Sequence, residues 1–417
     1  MLKYFLHILK IFEILNFKNK ILLVLFFLNS ILTAILEIFS IGILALYVGF
    51  LSNTKMIIEK IPFNFLKTYL IELDKTTLIF EVSIVIITAF IIKNFIVVFS
   101  NWFSLKIRQS IISDNSDEIF SYILASDFKY LIDTAKSAFT YKIYNEVKRV
   151  AGFITAYNML IKELLLIISI STTLYFINKS IFTFVILIFF SIFLISINTL
   201  KGFVRTSADR VNKHSSLMLK SISEVIDNVM LIKLSSKKKF FIKKYLNQLN
   251  LQIKFSNINR IIQSLPRNIF EVVGVAIVIC FVLIEIFYGN KNTDEMLPII
   301  SFLALVAARM APSFGAINSN FSTIIFNEKT FIEFFDNRKK MLLNKTQDID
   351  NKENKILKNT DKLEIRLDNV SFSYELEKLV LQNLNYNFEK NYIYGISGKS
   401  GSGKSTLTKL IMGLLEP

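Results

Sequence analysis

Six long runs of Leu, Ile, Phe and Val dominate the first 325 residues: Ile21–Phe50, Leu78–Phe103, Ile161–Ile177, Ile181–Leu200, Leu265–Tyr288 and Met296–Ile325. A helix needs ~20 apolar residues to cross ~30 Å of hydrocarbon, so each run predicts a spanning helix, the short third one extending back toward Phe153. The connections are unequal. Asn178-Lys179-Ser180 joins the third and fourth runs and "GNKNTDE" the fifth and sixth. Between the second and third, and between the fourth and fifth, lie about sixty residues each that keep helical spacing.

Two shorter patterns flank the first run. Residues 1–18 set Lys3, His7, Lys10 and Glu13 on one helical face and fill the rest with Leu, Ile and Phe. That predicts a helix in the membrane interface. Residues 61–73, "IPFNFLKTYLIEL", gather Phe63, Leu66, Tyr69, Leu70 and Leu73 on one face behind Pro62. This reads as an amphipathic helix on the outer membrane surface.

After the sixth run the pattern changes. Residues 326–361 are polar, charged and rich in Lys and Asn, the composition of a linker. Then come the strand patterns "LEIRLDNVSFSY" and "LVLQNLNYNFEK", a short strand pattern at Tyr392–Ser397, a glycine-rich turn, and helical spacing from Thr406 to Leu415. The fold class expected is an all-α six-helix transmembrane region over 1–325, followed after the linker by an incomplete α/β phosphate-loop domain over 362–417.

Composition agrees. Of 417 residues 53% are hydrophobic, 40 are phenylalanine, and the mean hydropathy is +0.48. That is far from a soluble domain. The net charge of +16 is then explained better by membrane topology than by a nucleic-acid partner, and none is expected. Lys and Arg crowd the second long connection, from Lys201 through Lys237, Lys238 and Lys239 to Arg260. This places the long connections, both termini and the glycine-rich turn on the cytoplasmic side of the membrane. With the single cysteine Cys280, no disulfide forms within one chain, and no zinc or haem spacing occurs.

The candidate chemistry lies in "GKSGSGKST", Gly398 to Thr406. Gly398, Gly403, Lys404 and Ser405 fit G-x-x-x-x-G-K-[ST] at every fixed position, between a strand pattern and a helix pattern. In such a loop successive N–H groups of Gly398, Lys399, Ser400, Gly401, Ser402 and Gly403 turn toward the phosphates of ATP. The helix N-terminus adds positive charge, Lys404 reaches the β- and γ-phosphates, and Ser405 ligates Mg²⁺. Tyr374 ends its strand and either stacks on the adenine or is an ordinary strand-end tyrosine.

Six spans, long helical connections, "VSFSY" and then this loop resemble an ABC exporter half-transporter. "ILTAILEIFSIGILALYVGF", "LIKLSSKKKFF", "SLPRNIFEVVG" and "ALVAARMAPS" are most similar to bacterial flippases of lipid-linked oligosaccharides. The resemblance implies ATP and Mg²⁺ as cofactors, a homodimer or a complementing nucleotide-binding fragment as partner, and membrane lipids with a lipid-linked glycan as cargo. It also implies that the outer helix engages a polyprenyl tail and that cavity cations engage a pyrophosphate. Arg267 and Arg309 match such arginines by position, and Lys93 stands where the family more often has arginine, which loses the bidentate fork.

Apart from any resemblance, charges within spans are costly and point to function. The alternative for Lys93, Arg267 and Arg309 is internal pairing with Glu37 and Glu271. The 417 residues hold no signature motif, acidic strand or switch histidine after the loop. The expectation is therefore a polypeptide truncated after its phosphate-loop helix, which binds ATP without hydrolysing it. Other readings are a drug, peptide or lipid exporter of the same architecture, and a non-catalytic relic or dominant-negative partner.

Overall fold

The computed structural model of the chain describes residues 2–52, 74–126, 128–134, 136–177, 179–288, 293–352, 365–374, 379–389 and 391–415. In order the elements are α1 (Leu2–Ile14), α2 (Phe17–Ser52), α3 (Lys75–Ala125), α4 (Phe128–Asp133) and α5 (Lys136–Tyr141). A π-helical turn at Lys142–Glu146 leads into α6 (Val147–Ile177), then α7 (Lys179–Asp227), α8 (Val229–Leu234), α9 (Lys238–Tyr288) and α10 (Thr293–Lys352). Strands β1 (Ile365–Ser373) and β2 (Leu379–Phe388) and helix α11 (Lys404–Ile411) complete the series. The outer helix read at 61–73, with Phe63, Leu66, Tyr69 and Leu70, lies outside the described residues.

Each of the six apolar runs falls inside one long helix, and six helices among the described residues are long and apolar enough to cross a membrane. These helices outrun the bilayer. At ~1.5 Å per residue the 51 residues of α3 extend about 75 Å, more than twice the hydrocarbon thickness. Much of the long connections is therefore a continuation of the spans. The stretch 326–361 departs from a linker in the same way, because α10 carries helix through it as far as Lys352. Once a long helix is nucleated, polar residues of fair propensity propagate it at little cost.

The chain divides into two compact units. One comprises 1–116 with 144–335, the other 117–143 with 336–417. The centre of the first is aromatic. Phe189 of α7, Phe270 of α9 and Phe314 of α10 stack with ring centroids 5.1–5.8 Å apart, ringed by Leu166, Ile170, Val306 and Met310. Lipid tails are as apolar as these side chains, so close packing is what holds helices together there. Gly315 shows how close the packing is: a Cβ on it would come within 2.8 Å of the Cβ of Arg267, one residue after Pro266 inside α9.

Helix α1 belongs to the same unit, and here the structure corrects the reading of its polar face. His7 is buried. Its Nδ1 lies 3.1 Å from the Tyr157 hydroxyl and its Nε2 3.6 Å from the Glu328 carboxylate, with Phe153 and Phe331 edge-on to the ring. The pattern of α1 alone could not reveal that α6 and α10 hold polar groups opposite His7.

In the second unit β1 and β2 pair antiparallel, with register shifts that bring Asn369 and Asn383 into the left-handed region. Asn tolerates that conformation well. Both long helices entering this unit contribute to it, Arg338 of α10 donating to both carboxylate oxygens of Glu118 of α3 at 2.8 and 2.9 Å.

Candidate functional site

The glycine-rich loop sits in the second unit, directly before α11 and against the first residues of β2. Gly401 (φ 83°) and Gly403 (φ 84°) adopt the left-handed conformation, which suits glycine. Gly403 is doubly constrained, since a Cβ there would lie 3.1 Å from Leu381 and 3.2 Å from Val380 of β2. The loop can lie against the sheet only with glycine at this position. Lys404 turns back and donates to the carbonyls of Gly398 (2.7 Å) and Lys399 (2.8 Å), and the Ser402 amide donates to the Lys399 carbonyl at 3.2 Å. An ammonium has three protons, so Lys404 keeps one for an incoming phosphate while its charge stays across the loop. Ser400 and Ser405 are exposed, and Thr406 is buried on the first turn of α11.

Tyr374 comes with the loop: its hydroxyl lies 3.4 Å from that of Thr406, and its ring packs edge-on to Phe372. On the far side of α11, Lys409 lies over the ring of Phe128 in α4 at 5.3 Å.

Two readings change. Helix α11 does not run to Leu415 but stops at Ile411. Gly413 (φ 67°) closes it, its amide bonding the Leu410 carbonyl while the Leu414 amide bonds the Lys409 carbonyl. That is the paired capping pattern glycine permits after a helix. The apolar spacing that suggested further helix belongs to the cap. Residues Tyr392–Ser397, expected as a strand, join no ladder, because the sheet among the described residues contains only β1 and β2. Ile393 is fully exposed as a result.

The donors present fit a nucleotide triphosphate with its metal: a positive charge, a loop closed by left-handed glycines and an exposed hydroxyl at Ser405. The chemistry such a set supplies is charge neutralisation and orientation of phosphates.

The intramembrane cations form a second candidate in the first unit. Lys93 of α3 and Arg309 of α10 meet on one carboxylate oxygen, Glu37 Oε1 of α2, at 3.2 and 2.7 Å. Two side chains not singled out from the sequence lie near enough to Glu37 and Arg309 to interact with them electrostatically. They are Lys162, which donates to Asn101 at 3.2 Å, and Glu163 of α6. Both lie well inside α6, which begins at Val147. Arg267 is not part of this cluster. It is exposed, lines a groove of about 470 Å³ between α9 and α10 together with Glu271 and Ala308, and forms no ion pair with Glu271.

Comparison with known proteins bears on the loop. Residues 381–417 match the family model described as ABC transporter. The energy-coupling factor transporter ATP-binding protein EcfA1 of Mycoplasmoides gallisepticum is 52% identical over 54 residues, 13% of this chain and 19% of that protein. EcfA of Methanosarcina acetivorans is 49% identical over 53 residues, 13% of this chain and 19% of that protein. The lacticin-481/lactococcin-DR transport/processing ATP-binding protein of Lactococcus lactis is 45% identical over 51 residues, 12% of this chain and 7% of that protein. The chain thus spans a fifth or less of the length of these relatives.

Proposed function

We propose that this polypeptide is the membrane-spanning and phosphate-gripping part of an ATP-driven transporter subunit of the ABC exporter type. The observation that carries the reading is the closed loop from Gly398 to Thr406, with Lys404 poised across it, in one chain with six helices able to span a membrane. Gly398, Lys399, Ser400, Gly401, Ser402 and Gly403 cradle the phosphates, Lys404 neutralises the outer two, Ser405 ligates Mg²⁺, and Tyr374 with Thr406 borders the base side. Binding there reaches the helical part of the unit through α11, where Lys409 meets Phe128 of α4. The loop binds Mg²⁺·ATP through these groups. In transport they act as a homodimer or with a complementing nucleotide-binding fragment.

For cargo we favour a lipid-linked oligosaccharide, moved across a bacterial cytoplasmic membrane with both termini in the cytoplasm. Membrane-embedded cations that suit a diphosphate head group support this, as does the amphipathic sequence pattern of residues 61–73, which suits a holder for the lipid tail. The second reading is an exporter of drugs, peptides or other lipids. It draws support from Lys93 and Arg309 both being paired with Glu37 and from Arg267 standing apart from them. The relatives do not decide between the two, because matches of 51 to 54 residues cannot reach across six spanning helices.

The test is a filter or fluorescence titration of Mg²⁺·ATP against the chain in nanodiscs, followed by uptake of a lipid-linked oligosaccharide into vesicles with a complementing fragment. Saturable binding and cargo movement support the reading. Binding with movement only of amphipathic drugs or peptides moves the conclusion to the second. For orientation, thiol labelling at a cysteine placed at 238 should require permeabilised cells, and labelling of intact cells would reverse the topology.

A further inference from the structure

The ion cluster among α2, α3, α6 and α10 is unevenly matched. Lys93, Lys162 and Arg309 bring three positive charges, and Glu37 and Glu163 two negative ones, which leaves one positive charge in surplus. The pairing at its centre is also incomplete in kind. Both Lys93 and Arg309 converge on the same oxygen, Glu37 Oε1, so two like charges are held side by side by one acceptor. Exposure follows a gradient. The Glu37 side chain is 4% exposed, that of Lys93 13% and that of Arg309 34%. The carboxylate is therefore the least accessible member of the trio and Arg309 the most accessible. Lys93 is further fixed over the ring of Phe90 at 4.8 Å.

We propose that Glu37 is a resident counter-anion. It holds Lys93 and Arg309 in place while the site is empty, and an anionic head group of the phosphate or diphosphate type binds by taking the two cations over from it. A phosphate presents several acceptor oxygens where Glu37 Oε1 presents one, so each cation gains an acceptor of its own. The surplus positive charge favours an anion, and Glu37 sets how strongly by competing with it. Glu37 is thus a specificity-determining residue: it keeps the cations from standing unpaired in a low-dielectric region and raises the charge that a ligand must carry to displace it. Lys162 and Glu163 neutralise each other beside the exchange. This inference rests on the reading of an anionic cargo.

The experiment uses the full chain in nanodiscs without nucleotide. The probes are inorganic pyrophosphate and farnesyl diphosphate, measured by calorimetry against wild type, Glu37→Gln, Glu37→Asp and Arg309→Gln. Glu37→Gln should bind both probes about tenfold more tightly than wild type, and Arg309→Gln should lose most of the binding. Glu37→Asp keeps the charge but withdraws it by one methylene, and should give a smaller increase; it serves alone if Glu37→Gln does not fold. Tighter binding of farnesyl diphosphate assigns the site to a lipid-borne head group, tighter binding of pyrophosphate to a free diphosphate, and either outcome supports the exchange. Unchanged or weaker binding in both Glu37 variants, with loss in Arg309→Gln, would overturn the role of Glu37 and leave the anionic cargo standing. No binding of either probe to any folded variant, or binding indifferent to Arg309, would overturn both.

Discussion

The two units differ in where their information lies. In the membrane unit nearly everything that matters is non-local. The Phe189, Phe270 and Phe314 stack joins three helices, the Glu37 cluster joins α2, α3 and α10, and His7 of α1 reaches Tyr157 and Glu328. In the nucleotide unit the chemistry is almost wholly local. Nine consecutive residues build the loop, and its support is one hairpin and one short helix. The membrane unit has a packed core and distributed chemistry, the nucleotide unit concentrated chemistry on a slight platform. A substitution should accordingly act on stability in the first and on ligand affinity in the second.

The largest effect should come from breaking helix contact in the membrane unit. Gly315→Leu would drive a side chain into Arg267, where a Cβ alone already comes within 2.8 Å of its Cβ and 3.0 Å of its Cα. It should cost about 3 kcal/mol or more, read as a drop in unfolding temperature in detergent, with Mg²⁺·ATP affinity of the remaining folded protein unchanged. Phe270→Ala comes next. It empties the centre of the aromatic stack, and in a lipid-solvated protein only packing is lost, so about 2 kcal/mol is expected by the same assay. If both variants leave unfolding unmoved and change nucleotide binding, the division between the units fails.

Gly403→Ala should act the other way. It forces a Cβ into the left-handed conformation and toward Val380 and Leu381, a strain of about 1–2 kcal/mol concentrated on the loop. Mg²⁺·ATP binding should weaken about tenfold while unfolding of the membrane unit stays where it was. The smallest effect is expected of Tyr374→Phe, which removes one long hydroxyl contact to Thr406 and keeps the ring. A change under about 1 kcal/mol in nucleotide affinity is expected, and a markedly larger loss in Tyr374→Ala would sharpen the ring's part in holding the base.

The same division explains what could be read in advance. The six spans and the loop were legible because hydrophobic runs and G-x-x-x-x-G-K-[ST] are signals contained in a few adjacent residues. The extent of α10 into the polar stretch was not, since composition suggests a linker while helix propagation is decided by what precedes it. The pairing of Arg309 with Glu37 was one of two alternatives, because no acid lies within Met296–Ile325, but only the approach of α2 decides it. Lys162 and Glu163 were not singled out, because their nearness to Glu37 and Arg309 arises only where separate helices meet. The strand expected at Tyr392–Ser397 does not form among the described residues: a ladder needs a neighbour, and β-propensity says nothing about whether one is at hand.

The central claim is that the loop is a working nucleotide grip whose chemistry resides in residues 398–406. It is tested most directly by titrating Mg²⁺·ATP into the purified 417-residue chain and its Lys404→Ala variant. The account predicts saturable binding by the first and at least about a hundredfold weaker binding by the second. Equal binding by the two chains would contradict it.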